Sequence, residues 1–208
     1  MTPWPEPELD PAAAHRKAAE LRGGIEFAHL HAAQRLLQDR LAGARLSGPL
    51  AKEITEQLHD LNEQLAGHQV PEPDRVDGWR PDLPGRGHPL LPPFVIDDED
   101  DRSLRGRVTF TRFYLGGNAA VHGGSQPLLF DDLFGRVANH HQDGVARTAS
   151  LTVNYRRVTP LDVELAYDVT LERIDGRKRF VSGRLRDPSG ALLSDATGLF
   201  LRLLPGQS

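Results

Sequence analysis

The spacing of the apolar residues changes at about residue 102, and this change limits what the chain can fold into. Before residue 102, apolar residues recur every three or four positions, as on one face of a helix. Beyond it they mostly alternate with polar residues, as on one face of a strand. The 208 residues are enough for one core of ordinary size with an appended segment. We therefore expect a helical extension followed by one β-rich domain.

The β-rich part, residues 102–208, contains five predicted strands and one predicted helix. In the second strand Leu151, Val153 and Tyr155 face one way, and Ser150, Thr152 and Asn154 face the other. Asp175-Gly176 and the segment 187–190 are hairpin turn signals. This order predicts an α+β fold in which an antiparallel sheet wraps around one long helix. The predicted strands are 105–113, 147–157, 163–171, 178–186 and 191–204, and the predicted helix is 126–140.

Residues 1–66 are predicted to form a helical hairpin extension, with a break at Ser47-Gly48-Pro49. Residues 67–101 are predicted to be a linker or covering loop, because segment 67–93 holds seven prolines. The acidic run 97–101 is interpreted as a solvated turn and not as a metal site, because adjacent carboxylates repel one another. The helical stripes are Leu21, Ile25, Ala28, Ala32 and Leu36, and then Leu50, Ile54, Leu58, Leu61 and Leu65.

The charge is distributed unevenly along the chain. Residues 1–101 hold 10 basic and 19 acidic side chains, a net charge of −9, whereas residues 102–208 hold 15 and 10, a net charge of +5. A modest basic surplus suits a small molecule that carries phosphates, but the clustered cations and aromatics of a nucleic-acid site are missing. We expect no membrane span, since no apolar run approaches about 20 residues. The absence of cysteine and of a secretory signal predicts a cytoplasmic location.

The junction between the first strand and the helix carries the most specific motif. Residues 116–124 read GGNAAVHGG, and the helix then carries Asp131, Asp132 and Gly135. His-Gly-Gly, with an acidic residue seven positions later and Gly four further on, resembles the signature of hotdog-fold thioesterases of the PaaI-like kind. The next strand, TASLTVNYRR at 148–157, is similar to the strand that follows the helix in this group and in its acyl-CoA thioesterase relatives. The resemblance covers about residues 103–204.

The resemblance implies a hotdog-fold acyl-CoA thioesterase that acts on a fatty or aromatic acyl-CoA as a homodimer or homotetramer. It implies no metal or organic cofactor beyond the CoA of the substrate. Asp131 would be the general base or the nucleophile, and the N–H groups of Gly123 and Gly124 would polarise the thioester carbonyl. For the other positions, it implies that Thr148 hydrogen-bonds the attacking water or the carboxylate, that Asn118 and His122 shape the pocket, and that Arg156 and Arg157 meet the CoA phosphates.

Helix geometry supports an oxyanion hole at the glycines, but it also indicates that two chains contribute to the site. Glycines that enter a helix leave backbone N–H groups open to a ligand, so they can serve as an oxyanion hole. Asp131, however, lies seven residues beyond Gly124, about 10 Å along the helix at roughly 1.5 Å per residue. That separation is too large for both groups to address one carbonyl. We therefore expect a second copy of the chain to supply one of them.

Two other functions remain open at this stage. The domain could bind acyl-CoA without turnover and present it to a partner or regulator, although binding alone does not require the Asp131 carboxylate. It could also be a hotdog dehydratase or hydratase, which uses a catalytic histidine with an acidic partner. His140 and His141, at the end of the predicted helix, do not match that placement.

Overall fold

The computed structural model describes residues 22–140, 144–204 and 206. The chain divides into two compact units, residues 1–89 and 90–208. Sequence predictions that concern residues 1–21, including Leu21, and His141 lie outside the described residues. Within the described ranges, none of the helices is both long and apolar enough to cross a membrane.

The first unit contains the two helices predicted from the apolar stripes. Helix α1 spans Gly24–Gly43 and helix α2 spans Gly48–Ala66. Pro49 lies in the first turn of α2, where a backbone N–H has no helical partner to lose. No residue of α2 is buried, and leucines of both helices stay exposed, among them Leu30, Leu61 and Leu65.

Residues 67–89 are held by arginines and belong to the first unit. Arg80 is completely buried, donates to the carbonyl oxygen of Gly24 (2.6 Å) and pairs with Asp82 (2.8 Å). Arg35 of α1 donates to the carbonyl oxygens of Pro84 and His88. The arginine of the loop thus binds a carbonyl oxygen of α1, and the arginine of α1 binds carbonyl oxygens of the loop. These hydrogen bonds attach the segment to α1.

His31 of α1 is buried and stays neutral. Its Nε2 accepts a hydrogen bond from Nε of Arg35 (2.8 Å), and its Nδ1 has no partner within the described residues. Burial, and next the charge of Arg35, lower the pKa of His31 from 6.5 to about 4. A proton on this ring would break the bond from Arg35 and place a second charge beside it.

We predict that His31 makes the protein less stable in acid. Between pH 6.5 and about 4 the unfolded state binds the proton and the folded state does not, so the free energy of unfolding falls as the pH falls. At about 1.4 kcal/mol per pKa unit, the full loss is about 3 kcal/mol. Urea unfolding across this range should show a flatter pH dependence for His31→Gln than for wild type. The exposed His59 supplies the control His59→Gln, and equal slopes for wild type and His31→Gln would contradict the prediction.

The second unit confirms the predicted α+β fold. Its antiparallel sheet has six strands in the order β1-β2-β6-β7-β8-β5, and a separate pair, β3 and β4, precedes α3, the one α-helix among its described residues. The five predicted strands correspond to β2 and β5 to β8. The bounds are β1 Phe94–Glu99, β2 Ser103–Thr109, β3 Leu115–Gly117, β4 Ala120–Val121, α3 Ser125–Ala138, β5 Ala146–Tyr155, β6 Glu164–Asp175, β7 Lys178–Arg186 and β8 Leu192–Arg202.

Strand β1 falls inside the segment predicted to be a linker, so the sheet begins at Phe94 and the boundary at residue 102 has to move. The acidic run belongs mostly to this edge strand, because arginines offset the repulsion between its carboxylates. Asp97 pairs with Arg107 (2.9 Å) and Asp98 with Arg105 (2.5 Å) on the neighbouring strand β2. Glu99 pairs with Arg136 of α3, whose hydrogen bond lowers the pKa of Glu99. A bulge between Ile96 and Asp98 also breaks the alternation by which a strand is recognised in sequence.

Candidate active site

The loop that leads into α3 is a tight hairpin formed by β3 and β4. Its two turn residues, Asn118 (φ 50°) and Ala119 (φ 57°), are both left-handed and exposed, as in the turns that favour Asn and Gly. After the hairpin, the backbone N–H of His122 donates to the carbonyl oxygen of Tyr114 (2.7 Å). A Cβ atom on Gly116 would lie 2.7 Å from Cα of His122, so only glycine permits this approach. The hairpin fixes the start of the His-Gly-Gly motif, and the predicted role of Asn118 in shaping a pocket stays a prediction.

The peptide that joins Gly123 to Gly124 is held at both of its polar atoms. The hydroxyl of Tyr155 donates to the carbonyl oxygen of Gly123 (2.7 Å). The N–H of Gly124 donates to Nδ1 of His122 (3.0 Å), so the imidazole carries its proton on Nε2. These two bonds fix the plane of a peptide that is exposed to solvent.

The two glycine amides, predicted to act alike, therefore differ. The N–H of Gly124 is occupied by His122, and it can reach a ligand only when the imidazole turns away. The N–H of Gly123 has no hydrogen-bond partner within the described residues and belongs to an exposed residue. Helix α3 begins directly afterwards, at Ser125, and its positive end adds to the field at this amide. Pro127 lies in the first turn of α3 and needs no helical N–H partner there.

Asp131 accepts a hydrogen bond from the hydroxyl of Thr148 (2.8 Å). Asp131 lies two turns into α3, is exposed, and presents its carboxylate beside the first residues of β5. The neighbouring Asp132 is half-buried and contributes to the raised pKa of Arg136, although the hydrogen bond from Arg136 to Glu99 is the main cause of that shift. Asp131 is the more exposed of the two carboxylates, and a hydroxyl of β5 holds it.

A β-bulge in β5 brings Thr148 to this position. The register shifts between Thr148 and Ser150, so that Ala149 is an extra residue. Thr148 pairs with Phe200 and Leu151 with Gly198, and both β8 residues are buried on the side of the helix. Strict alternation would have placed Thr148 with Ser150 on the opposite face. The bulge therefore allows one strand to present both a hydroxyl and an apolar row to α3.

The two halves of the candidate site lie at opposite ends of β5. Thr148, near the start of the strand, holds Asp131, and Tyr155, the last residue, holds Gly123. Along α3 the carboxylate and the glycine amides are about 10 Å apart at roughly 1.5 Å per residue. Within one chain they cannot act together on one carbonyl group.

Arg156 does not stand free, as a phosphate-binding residue would. Its Nε donates to Oδ2 of Asp195 (2.6 Å), and Asn154 donates to the same carboxylate. This pairing raises the pKa of Arg156 and lowers that of Asp195. Arg157 is exposed; the pKa of Asp187 is lowered first by the Ser189 hydroxyl and to a smaller extent by Arg157. Their predicted contact with CoA phosphates stays a prediction.

Tyr155 is the residue of this site that the sequence pattern assigned only to an apolar row. In the structure it ends the row formed with Leu151 and Val153, and its ring is half-exposed. A tyrosine with an apolar body requires a polar partner for its hydroxyl. The sequence feature that could have indicated this contact is the position of Tyr155 at the end of the strand, where the chain comes near the start of the helix.

Part of this chain is similar in sequence to proteins of known family. Residues 118–194 match the sequence model of the thioesterase superfamily. Acyl-coenzyme A thioesterase THEM4 of Bos taurus is 34% identical over 89 residues, which are 42% of this chain and 36% of the relative. This chain thus spans little more than a third of the length of that curated relative.

Solved structures extend the similarity. The crystal structure of a thioesterase superfamily protein is 31% identical and superposes with a TM-score of 0.69, over 84% of this chain and 90% of that one. A hypothetical thioesterase with coenzyme A from Streptococcus pneumoniae is 17% identical, with a TM-score of 0.50 over 52% of this chain and 87% of that one, and shares the fold.

Proposed function

Because this chain belongs to the thioesterase superfamily, we propose that it hydrolyses a fatty or aromatic acyl-CoA thioester to the free acid and CoA. The observation that carries the proposal is the hydrogen bond from Thr148 to Asp131, which holds an accessible carboxylate near one end of β5, while Tyr155 at the other end holds the Gly123–Gly124 peptide. A carboxylate can activate water as a base or attack a carbonyl directly. The Bos taurus relative is named an acyl-coenzyme A thioesterase, and the pneumococcal structure is that of a hypothetical thioesterase with coenzyme A.

A second copy of the chain completes the site in this proposal. Strand β5 is a sheet edge of ten residues that pairs only with β8 among the described strands. An exposed edge of this length is a template for another strand. Antiparallel pairing of two β5 strands would bring the start of one to the end of the other. Asp131 with Thr148 of one copy would then face Gly123 with Tyr155 of the other, giving two equivalent sites per dimer.

The reaction follows from these groups. The amide of Gly123 binds the thioester oxygen, joined by that of Gly124 if His122 turns away, and stabilises the negative charge that develops there. Asp131 of the other copy takes a proton from the attacking water, or forms an anhydride that water then hydrolyses. The carbon–sulfur bond breaks, and CoA leaves as a thiolate that takes up a proton. Thr148 orients the carboxylate in either route.

The arrangement favours hydrolysis over the two other readings. A protein that only bound acyl-CoA would not need a carboxylate positioned by a hydroxyl. A dehydratase would need a histidine paired with an acidic residue, whereas His122 accepts the N–H of Gly124 and forms no ion pair with a described carboxylate of its own chain. His140 lies just beyond the far end of α3 and contacts Asp101 (3.3 Å) and Glu99 (3.8 Å). The choice between dimer and tetramer and the cytoplasmic location stay predictions from sequence.

Asp131→Asn tests the reaction itself. We expect thiol release from an acyl-CoA panel to fall by roughly a hundredfold or more, as for loss of a general base or nucleophile. Asp132→Asn is the matched control, because it removes the adjacent carboxylate and should leave most of the rate. Equal turnover by wild type and Asp131→Asn would rule out the proposed role, and tight acyl-CoA binding by a wild type that releases no thiol would favour the binding function.

Tyr155→Phe tests the hold on the glycine peptide. Removal of one hydrogen bond costs about 1 kcal/mol, so we expect kcat to fall by about fivefold to tenfold with little change in KM. Amide hydrogen exchange at Gly124 should also become faster, which a loss of packing alone would not cause at this residue. An unchanged kcat together with unchanged exchange would show that the hydroxyl positions nothing.

Mixed dimers test whether the site is shared. Gly124 has φ −69°, so Gly124→Val keeps an allowed backbone. Its branched side chain would crowd His122, 3.2 Å from a Cβ atom there, and would obstruct the approach of a thioester to the adjacent amide of Gly123. Asp131→Asn and Gly124→Val should each be inactive alone. Refolded together they should regain about a quarter of the wild-type rate, because half of the dimers are mixed and each of these holds one intact site. A mixture that stays inactive while mixed dimers form would contradict the shared site.

A further inference from the structure

A cavity of about 630 Å³ opens where β5 begins and β8 ends. Three arginines, Arg147, Arg177 and Arg202, line it. We propose that this cavity binds the phosphate groups of the CoA moiety, an inference that rests on the proposed thioesterase function. The remaining lining residues are Thr148, Ala149, Leu201, Leu203 and Gly206.

Arg147 and Arg177 bring positive charge to the cavity, and neither forms an ion pair with a described carboxylate. Its described lining includes no Asp or Glu. The acidic residue of the adjacent turn, Asp175, pairs with Arg173 (4.0 Å) and does not line the cavity. Lys178 adds a further cation beside it, since Leu201 pairs with Arg147 on one side and with Lys178 on the other. An anion bound here would relieve repulsion between these like charges.

Other arginines of the second unit are arranged differently. Most of them form an ion pair with a carboxylate, namely Arg105, Arg107, Arg136, Arg156, Arg173, Arg184 and Arg186. Within the described residues, Arg147 has no ion pair with a carboxylate, and the side chain of Arg177 donates only to the backbone carbonyl oxygen of Arg202 (3.3 Å). Both are exposed. Guanidinium groups suit phosphate oxygens because they offer several N–H donors in one plane.

Thr148 connects this cavity to the site of hydrolysis. It lines the cavity and donates its hydroxyl to Asp131. A substrate whose thioester lies at Asp131 could therefore extend its pantetheine arm towards the arginines. This location is an alternative to the sequence prediction, which placed the phosphates at Arg156 and Arg157. Arg156 forms an ion pair with Asp195, whereas Arg147 and Arg177 form none with a described carboxylate.

The experiment compares two thioesters of the same acyl group, one on CoA and one on pantetheine, which lacks the nucleotide phosphates. We expect Arg147→Gln and Arg177→Gln each to raise KM for the acyl-CoA by about tenfold, as for loss of one charge-assisted hydrogen bond. Their kcat for acyl-CoA and all constants for the pantetheine thioester should match those of wild type. Arg184→Gln is the control, because it removes an exposed arginine from β7 without touching the cavity.

The two proposals fail separately in this design. Equal effects on both thioesters, or no effect on either, would overturn the phosphate site while hydrolysis stands. If the protein hydrolyses no thioester, calorimetric titration with CoA measures the affinity of each variant directly. In that case, weaker CoA binding by Arg147→Gln than by Arg184→Gln would support the phosphate site without the reaction, and equal binding by both would overturn it. Thermal unfolding of each variant verifies that the fold is kept.

Discussion

Two glycines in the middle of the sheet let α3 lie directly against it, and the candidate site depends on this close packing. A Cβ atom at Gly183 or at Gly198 would come within 2.7 Å of the ring of Phe134. Phe130 and Phe134 are fully buried there, and burial of each such side chain contributes roughly 2–3 kcal/mol. A bulkier residue at either glycine would push the helix off the sheet. The contacts of both Asp131 and Gly123 with β5 would then be lost together.

Strand β5 sets the geometry of the site because it combines a bulge with a free edge. The extra residue Ala149 turns Thr148 towards the helix, while Leu151 and Val153 keep the apolar row beyond it. The same strand has a neighbour, β8, on only one side among the described strands. Its two ends hold the carboxylate and the glycine peptide apart. One strand thus contacts both groups of the candidate site and keeps them at its opposite ends.

Periodicity and turn residues were sufficient to predict the strands β2 and β5 to β8 and helix α3, because each buries one face. They failed for β1, whose carboxylates pair with Arg105 and Arg107 of the neighbouring strand and with Arg136 of α3, contacts that the spacing of apolar residues does not show. The motif selected Asp131 and the two glycines as candidates. It could not show that His122 occupies the amide of Gly124 or that Asp195 occupies Arg156, since both depend on side-chain geometry.

The exposure of Asp131 and Gly123 in one chain is itself an argument for a shared site. In water, a carboxylate and a backbone amide act weakly on a thioester, because the solvent screens their charges and competes for their hydrogen bonds. A strand laid along β5 would cover both ends of the edge and exclude water from the space between them. The same amides and carboxylate would then act in a medium of lower dielectric, where their effect on a developing charge is much larger. Assembly would therefore supply both the missing group and the dry surroundings that make it effective.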